Sequence, residues 1–124
     1  MRFSKLRIST DATSRLRTIR QRTGLTPNLL CRVAIMLSLE EGPVGETRAA
    51  DEQGQEFNGY TLTGDYNGMI GALLRFVEET EGDAGALAND ELLRRLQSHI
   101  HRGVATLSVR AKSPADLSRL AVAA

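Results

Sequence analysis

The sequence has no tryptophan, one cysteine and three prolines in 124 residues, and aromatic side chains make up 4% of it. Each scarcity excludes something. So few aromatics leave no platform on which stacked bases could be the main grip on a nucleic acid. A lone cysteine, Cys31, excludes an intrachain disulfide framework and fits a reducing compartment, so a cytoplasmic location is expected. No apolar run approaches the roughly 18–20 residues needed to span a bilayer, so no membrane partner is expected. The stretch Met1 to Ser9 mixes Arg2, Lys5 and Arg7 with Phe3, Leu6 and Ile8, without the apolar centre of a signal peptide.

Chemistry-bearing patterns are equally sparse. No phosphate-loop pattern ends in Lys-Ser or Lys-Thr, and no carboxylate pair stands out as an acid/base couple. His99 and His101 are two apart, so a helix would turn them to nearly opposite faces, and no zinc-type ligand spacing is present. Cys31 lies in an apolar helical pattern, where a small thiol is a core residue. No catalytic residue, metal site or cofactor is expected.

What is there is a charge asymmetry. The net charge of +1 hides it. Residues 1–32 carry eight bases (Arg2, Lys5, Arg7, Arg15, Arg17, Arg20, Arg22, Arg32) against Asp11, or +7. Residues 33–64 sum to −5, 65–91 to −6 and 92–124 to +5. A basic N-terminal third is what a phosphate-contacting surface needs.

The hydrophobic pattern reads as a mainly α protein: a short strand, then four helices, in one domain over 1–110 with a tail at 111–124. Residues 3–9 alternate, with Leu6 and Ile8 on one face and Lys5, Arg7 and Ser9 on the other, so the strand needs a partner from this chain or another. Thr10 or Asp11 is positioned to cap a helix to Thr23 with the stripe Ala12, Leu16, Ile19, flanked by Arg15 and Arg22 on one side and Arg17 and Arg20 on the other. Gly24 fits a left-handed cap. Thr26-Pro27 opens a second helix to Glu40 that is apolar almost all round and therefore needs cover on every side, most simply from another subunit. Residues 42–56 read as a surface loop and 57–64 as a short strand or ordered turn. A third helix is expected from Asp65 to Thr80, with Gly68 and Gly71 marking close backbone approach. A fourth begins at a cap on Asn89 and ends at Gly103 or continues to Leu107. Partial helix or disorder is expected in the tail.

Strand, helix, Gly-containing turn, helix over 3–40 resembles the ribbon-helix-helix DNA-binding unit. That resemblance implies two chains pairing their strands. Lys5 and Arg7 would then lie in the major groove, with the helix start around Thr26-Pro27-Asn28 at a phosphate. A more specific likeness covers about residues 3–108. It runs through Thr23-Gly24-Leu25-Thr26-Pro27-Asn28, then Arg32, Ala34 and Ile35. Phe57-Asn58-Gly59-Tyr60-Thr61-Leu62-Thr63-Gly64 and the helix Tyr66 to Glu79 follow, and His99-Ile100-His101-Arg102-Gly103-Val104 closes it. In this it resembles the DndE family of DNA sulfur modification proteins. The resemblance implies a non-catalytic homotetramer that binds duplex DNA, nicked DNA included, through basic side chains. It would act beside a sulfur-transfer enzyme and an ATPase that carry out phosphorothioation. Carried over by position, Arg15, Arg17, Arg20 and Arg22 are the DNA contacts, with Lys5, Arg7 and Asn28 around them. Two other readings compete: an assembly scaffold without DNA contact, and a ribbon-helix-helix repressor that reads a palindrome.

Overall fold

The computed structural model describes residues 1–46 and 50–123, with side chains described through Leu120. The first strand forms over Lys5–Arg7 (β1) and pairs antiparallel with Glu56–Asn58 (β2) in the register Lys5↔Asn58, Leu6↔Phe57, Arg7↔Glu56. Leu6 and Phe57 oppose each other in the core, while their neighbours face water. Ile8 N–H to Gln55 O (3.0 Å) and Gly54 N–H to Ile8 O (2.9 Å) carry the ladder further. The strand's partner thus comes from its own chain. This corrects the expectation of a ribbon shared between two copies: Phe57 supplies, in cis, the apolar surface that Leu6 requires.

Ser9, rather than Thr10 or Asp11, caps the first helix, Thr10–Thr23 (α1), accepting from the Ala12 N–H at 3.0 Å. Thr10 is held elsewhere: its N–H and hydroxyl both donate to the Asp51 carboxylate at 3.0 Å. Gly24, at φ 76°, closes the helix with its N–H on Arg20 O, as a left-handed cap does. Thr26 caps the second helix, Pro27–Glu41 (α2), with Pro27 at its first position. Leu30, Cys31, Ala34, Ile35 and Leu39 are buried, Val33, Met36 and Leu37 are half-buried, and Leu29 is 42% exposed. The all-round apolar surface of α2 is therefore covered only in part by its own chain.

β2 takes Phe57 and Asn58 from the segment 57–64, expected as a short strand or ordered turn, and Glu56 from the loop expected over 42–56; residues 47–49 of that loop lie outside the described residues. A single turn, Gly59–Leu62 (α3), and a 3₁₀ turn, Gly64–Tyr66, lead into Asn67–Arg75 (α4), which continues as a widened π-helical stretch, Phe76–Glu81. Of the two glycines expected at a close approach, Gly71 faces Met1 and Gly68 faces open space. The long helix Asn89–Arg110 (α5) buries Leu92, Leu96, Ile100, Val104 and Leu107. Its cap is Ala88; Asn89 instead clasps the N-terminal segment, its Oδ1 accepting from Arg2 N–H (2.9 Å) and its Nδ2 donating to Arg2 O (2.8 Å). The tail forms Pro114–Ala123 (α6), which packs Leu117 and Leu120 against the core.

The core centres on α5, which packs against α2 most extensively and α1 next. Gly103 sits where α2 and α5 cross: a Cβ there would overlap the Ala34 carbonyl and its Cα. Gly103 was a possible helix end by sequence; it is a contact point within a continuous helix. Helix propensity alone would favour Gly103→Ala by about 1 kcal/mol. Overpacking against backbone, which cannot rotate away, costs up to about 3 kcal/mol. G103A should therefore lower stability by about 2 kcal/mol in urea unfolding; an unchanged or higher midpoint would mean the two helices are not held at this distance.

Candidate nucleic-acid interface

The α1 arginines divide between two flanks, as helical spacing requires. Arg15 and Arg22 turn toward α5. Arg15 pairs with Asp11 at 2.9 Å and donates to Ser108 Oγ at 2.9 Å, and Arg22 donates to Ser108 O at 3.3 Å. Arg17 and Arg20, three residues apart, lie together on the other flank. Both are exposed, and neither has an ion pair or side-chain hydrogen bond among the described residues. Their guanidinium groups carry full charge and a planar set of donors suited to phosphate oxygens. Beside Arg17 runs a polar groove lined by Thr13, Ser14 and Gln53.

The strand residues are differently placed. Lys5 and Arg7 both face Glu56 across the sheet, at 4.0 and 3.5 Å, and Arg7 also donates to Gly54 O at 3.2 Å. Asn28 is half-buried near the start of α2, with its Oδ1 buried and lacking a donor. The start of α1 is closed by Asp51, whose carboxyl is held below its usual range by the N–H groups of Thr10 and Gln53. A phosphate would compete there with a carboxylate already in place.

The most elaborate polar arrangement lies in the interior. Glu78, on the π-helical stretch, has no exposed surface. Its carboxylate accepts from Val44 N–H (2.9 Å), Gly45 N–H (3.0 Å), Arg95 Nη1 (3.1 Å) and His99 Nε2 (2.8 Å). On the other side of the ring, His99 Nδ1 meets Ser38 Oγ at 2.8 Å, and Ser38 Oγ also accepts from Arg102 Nε at 2.8 Å. Arg102 continues to the carbonyls of Ser38 and Gly42, and pairs with Glu41 at 3.4 Å. Burial would raise the Glu78 carboxyl, but its four donors outweigh that and hold it low. Burial depresses His99, with Arg102 acting in the same sense against the pull of Glu78. The neutral ring then donates from Nε2 to Glu78 and accepts at Nδ1 from the Ser38 hydroxyl. Serine, histidine and carboxylate in line suggest a nucleophile relay. However, Ser38 is 1% exposed and its oxygen is already engaged by Arg102, so no substrate can reach it. The arrangement acts as a clamp between α2, the turn at Val44–Gly45 and α5.

His101 serves another contact, accepting from Ser9 N–H at 3.1 Å, and burial depresses it as well. Among the described residues no group of three or more His, Cys, Asp or Glu is placed to hold a metal ion. Burial pushes the Cys31 thiol up to about 12, so at neutral pH it is a protonated core side chain. Among the described residues no helix is long and apolar enough to cross a membrane.

A family model described as DNA sulphur modification protein DndE matches residues 5–115. The chain belongs to the DndE family. Solved structures of the family agree in fold. DndE from Escherichia coli B7A, described as involved in DNA phosphorothioation modification, aligns with a TM-score of 0.73 at 22% identity, covering 86% of this chain and 98% of that one. A DndE variant with two glycine-to-lysine substitutions, involved in DNA phosphorothioation, aligns at 0.66 and 18%, covering 86% and 97%. At these identities the likeness is one of fold. No curated relative matches the chain.

Set within the DndE fold, the expected site residues are scattered. Of these, only Arg17 and Arg20 form an exposed set on one flank of α1 that is unpaired among the described residues. Arg15 and Arg22 lie on the other flank, Lys5 and Arg7 are matched to Glu56, and Asn28 faces inward in part. Two bases went unremarked in the sequence: Arg110 and Lys112 follow Ser108, which Arg15 and Arg22 contact, and both are exposed without an ion pair among the described residues. Their position beyond an apolar helix pattern, in the +5 segment, was the available signal.

The clamp sets a pH dependence. Unfolded histidine takes up a proton near 6.5, whereas folded His99 and His101 resist it, so the folded state binds fewer protons as pH falls. Stability should be complete above about pH 7 and decline as pH drops through 6.5. It should decline again below 4.5, where carboxyls such as Glu78 protonate in the unfolded chain. Urea midpoints that rise between pH 7 and 5.5 would contradict this. Glu78→Gln takes from buried Arg95 one of its two carboxylates, leaving Glu91 at 3.0 Å, and sets an amide NH2 among four donors, and should cost about 3 kcal/mol, measurable in the same titration at pH 7.5.

Proposed function

We propose that this chain is a non-catalytic DNA-binding subunit of the DNA phosphorothioation machinery, meeting the phosphate backbone of duplex DNA through Arg17 and Arg20. The observation that carries the reading is that these two exposed guanidinium groups have no carboxylate of their own among the described residues. They need break no internal ion pair to engage phosphate. Arg15, Arg22, Arg110 and Lys112 on the far side would add long-range attraction. Lys5 and Arg7 contribute less, since Glu56 offsets them. The sulfur chemistry falls to partner enzymes, a sulfur-transfer enzyme and an ATPase. The family membership and the two solved DndE structures, whose descriptions name phosphorothioation, support a place in that machinery. A homotetramer would repeat the arginine pair on each copy and raise the number of phosphates met at once.

Backbone contact of this kind is tolerant of sequence and steep in salt. Anisotropy titrations with intact, nicked and scrambled duplexes should give similar affinities that fall together as salt rises. The double variant Arg17→Ala/Arg20→Ala should weaken all of them about tenfold and reduce the salt slope by about 2, near 0.9 per lost phosphate contact. Binding by the double variant equal to the parent would remove the assigned face. A footprint confined to one palindrome would favour a repressor. A scaffold reading also has a specific observation in its favour: an open apolar groove on the side of α2 away from α5.

A further inference from the structure

Among the large apolar and aromatic side chains described, Tyr60 is the most exposed, at 91%. Its ring adds nothing to the core, yet the backbone beneath it is pinned. Tyr60 N–H donates to Asn58 Oδ1 at 2.7 Å, and the Thr61 hydroxyl donates to Asn58 O at 3.2 Å. Gly59 N–H donates to Ser4 O at 2.8 Å, and a Cβ on Gly59 would overlap Phe3 O, so α3 lies directly on the N-terminal segment. That segment is fixed in turn by the clasp of Asn89 on the Arg2 backbone. The ring is therefore presented by a backbone that needs no ordering before a ligand arrives.

Beside the ring opens a hollow of about 510 Å³, lined by Arg2, Phe3, Ser4, Asn58 and Tyr60. Phe3 is half-buried and gives it apolar surface. Arg2 is exposed, and its guanidinium has no ion pair or hydrogen bond among the described residues. Lys5 lies opposite Asn58 on the sheet and shares Glu56 with Arg7, two positive charges against one negative. Asp90, next to Asn89, is taken up by Arg94 at 3.6 Å. These neighbours leave the hollow basic.

We propose that Tyr60 stacks on an unpaired nucleobase of DNA while Arg2 meets an adjacent phosphate. An open aromatic face beside a free guanidinium offers each half of a nucleotide its partner: a π surface for the base and planar donors for the phosphate. A base within a duplex has both faces covered by its neighbours, so an unpaired base is the one that the ring can reach. A single ring serves as an accessory contact, in keeping with the scarcity of aromatics. The proposal rests on the reading that the chain holds duplex DNA through Arg17 and Arg20, and adds to it a preference for DNA with an unpaired base. Gln55, in the groove beside Arg17, precedes Tyr60 by five residues, so the groove's edge and the backbone under the ring are no more than about 17 Å apart. About five nucleotides of one strand cover that span.

The test uses the full chain and three duplexes of the same sequence: one blunt, one with a 3′ overhang of three thymidines, and one with an overhang of three abasic sites, which keeps the phosphates and removes the bases. Anisotropy titration should show the thymidine overhang binding about tenfold tighter than the abasic one, the scale of one base stacked on an aromatic ring. Tyr60→Ala should remove that gain and Tyr60→Phe should keep it. Arg2→Ala should lower the salt slope for both overhangs by about 0.7, the equivalent of one single-strand phosphate. The chain has no tryptophan and two tyrosines, so Tyr66→Phe leaves Tyr60 as the sole emitter. Its fluorescence should be quenched by the thymidine overhang and not by the abasic one. Equal binding of the two overhangs, a gain that persists in Tyr60→Ala, or unquenched emission would overturn the proposal. So would light scattering in which Tyr60→Ala dissociates an oligomer, because a second copy would then cover the ring. Failure of the arginine pair reads out separately: Arg17→Ala/Arg20→Ala should lower the affinity of all three duplexes alike and leave the ratio between the overhangs unchanged. If no duplex binds, pentathymidylate at roughly millimolar concentration still tests the ring, and emission that it leaves unquenched overturns the proposal.

Discussion

A carboxylate with no exposed surface cannot stand without donors, and the donors that Glu78 recruits come from two parts of the chain distant from it in sequence. Two are the successive N–H groups of Val44 and Gly45, just past α2; two are side chains of α5. The ring of His99 passes the connection on to Ser38, and Arg102 returns it to the last carbonyls of α2, which a helix end otherwise leaves without partners. The same seam carries the tightest apolar approach. Ala34 precedes Ser38 by one turn, and Gly103 follows His99 by one turn, so the polar pair and the glycine contact are consecutive rungs between antiparallel helices. A buried network of this kind is favourable only when every member is satisfied, which demands one register of α5 on α2. Everything borne by those two helices is placed by that register, including the flank of α1 and the floor of the outer groove.

The parts of this fold that follow from local rules were legible in the sequence. The Leu16–Ile19 stripe, the Gly24 cap and the Thr26-Pro27 start each depend on a few neighbouring residues, and each stands in the structure where the pattern places it. The parts set by distant residues were not. For 57–64 the pattern allows a short strand or an ordered turn, and the pairing of Phe57 with Leu6 decides for a strand that begins one residue earlier, at Glu56. Ser9 caps α1 while Thr10 is held by Asp51, and Ala88 takes the cap position of α5 without a capping hydrogen bond because Asn89, the better cap by local preference, is occupied by the Arg2 backbone.

The clamp was hidden for a related reason. Glu78 lies in an acidic run that reads as a solvated surface, and Arg95 and Arg102 read as the polar side of an amphipathic helix. A signal was nonetheless present. His99 falls three residues after Leu96 and four before Gly103, on the arc that also carries Leu92 and Leu107, so a polar side chain on the apolar stripe of α5 had to find partners inside.

Counting charge along the chain overstates the charge available to a ligand, and the structure supplies the correction. In the last third, Arg94, Arg95, Arg102 and Arg119 are all matched to carboxylates, so the +5 of that segment shrinks to Arg110 and Lys112. In the first third, Glu56 answers one of the two charges on Lys5 and Arg7, and Asp11 answers Arg15. Removing an arginine from an internal pair before it can meet a phosphate subtracts that pair's energy from binding; an arginine with no pair brings its whole interaction. In a chain whose acids and bases nearly cancel, Arg17 and Arg20 are such arginines among the described residues, so the available charge is more local than the count along the chain suggests.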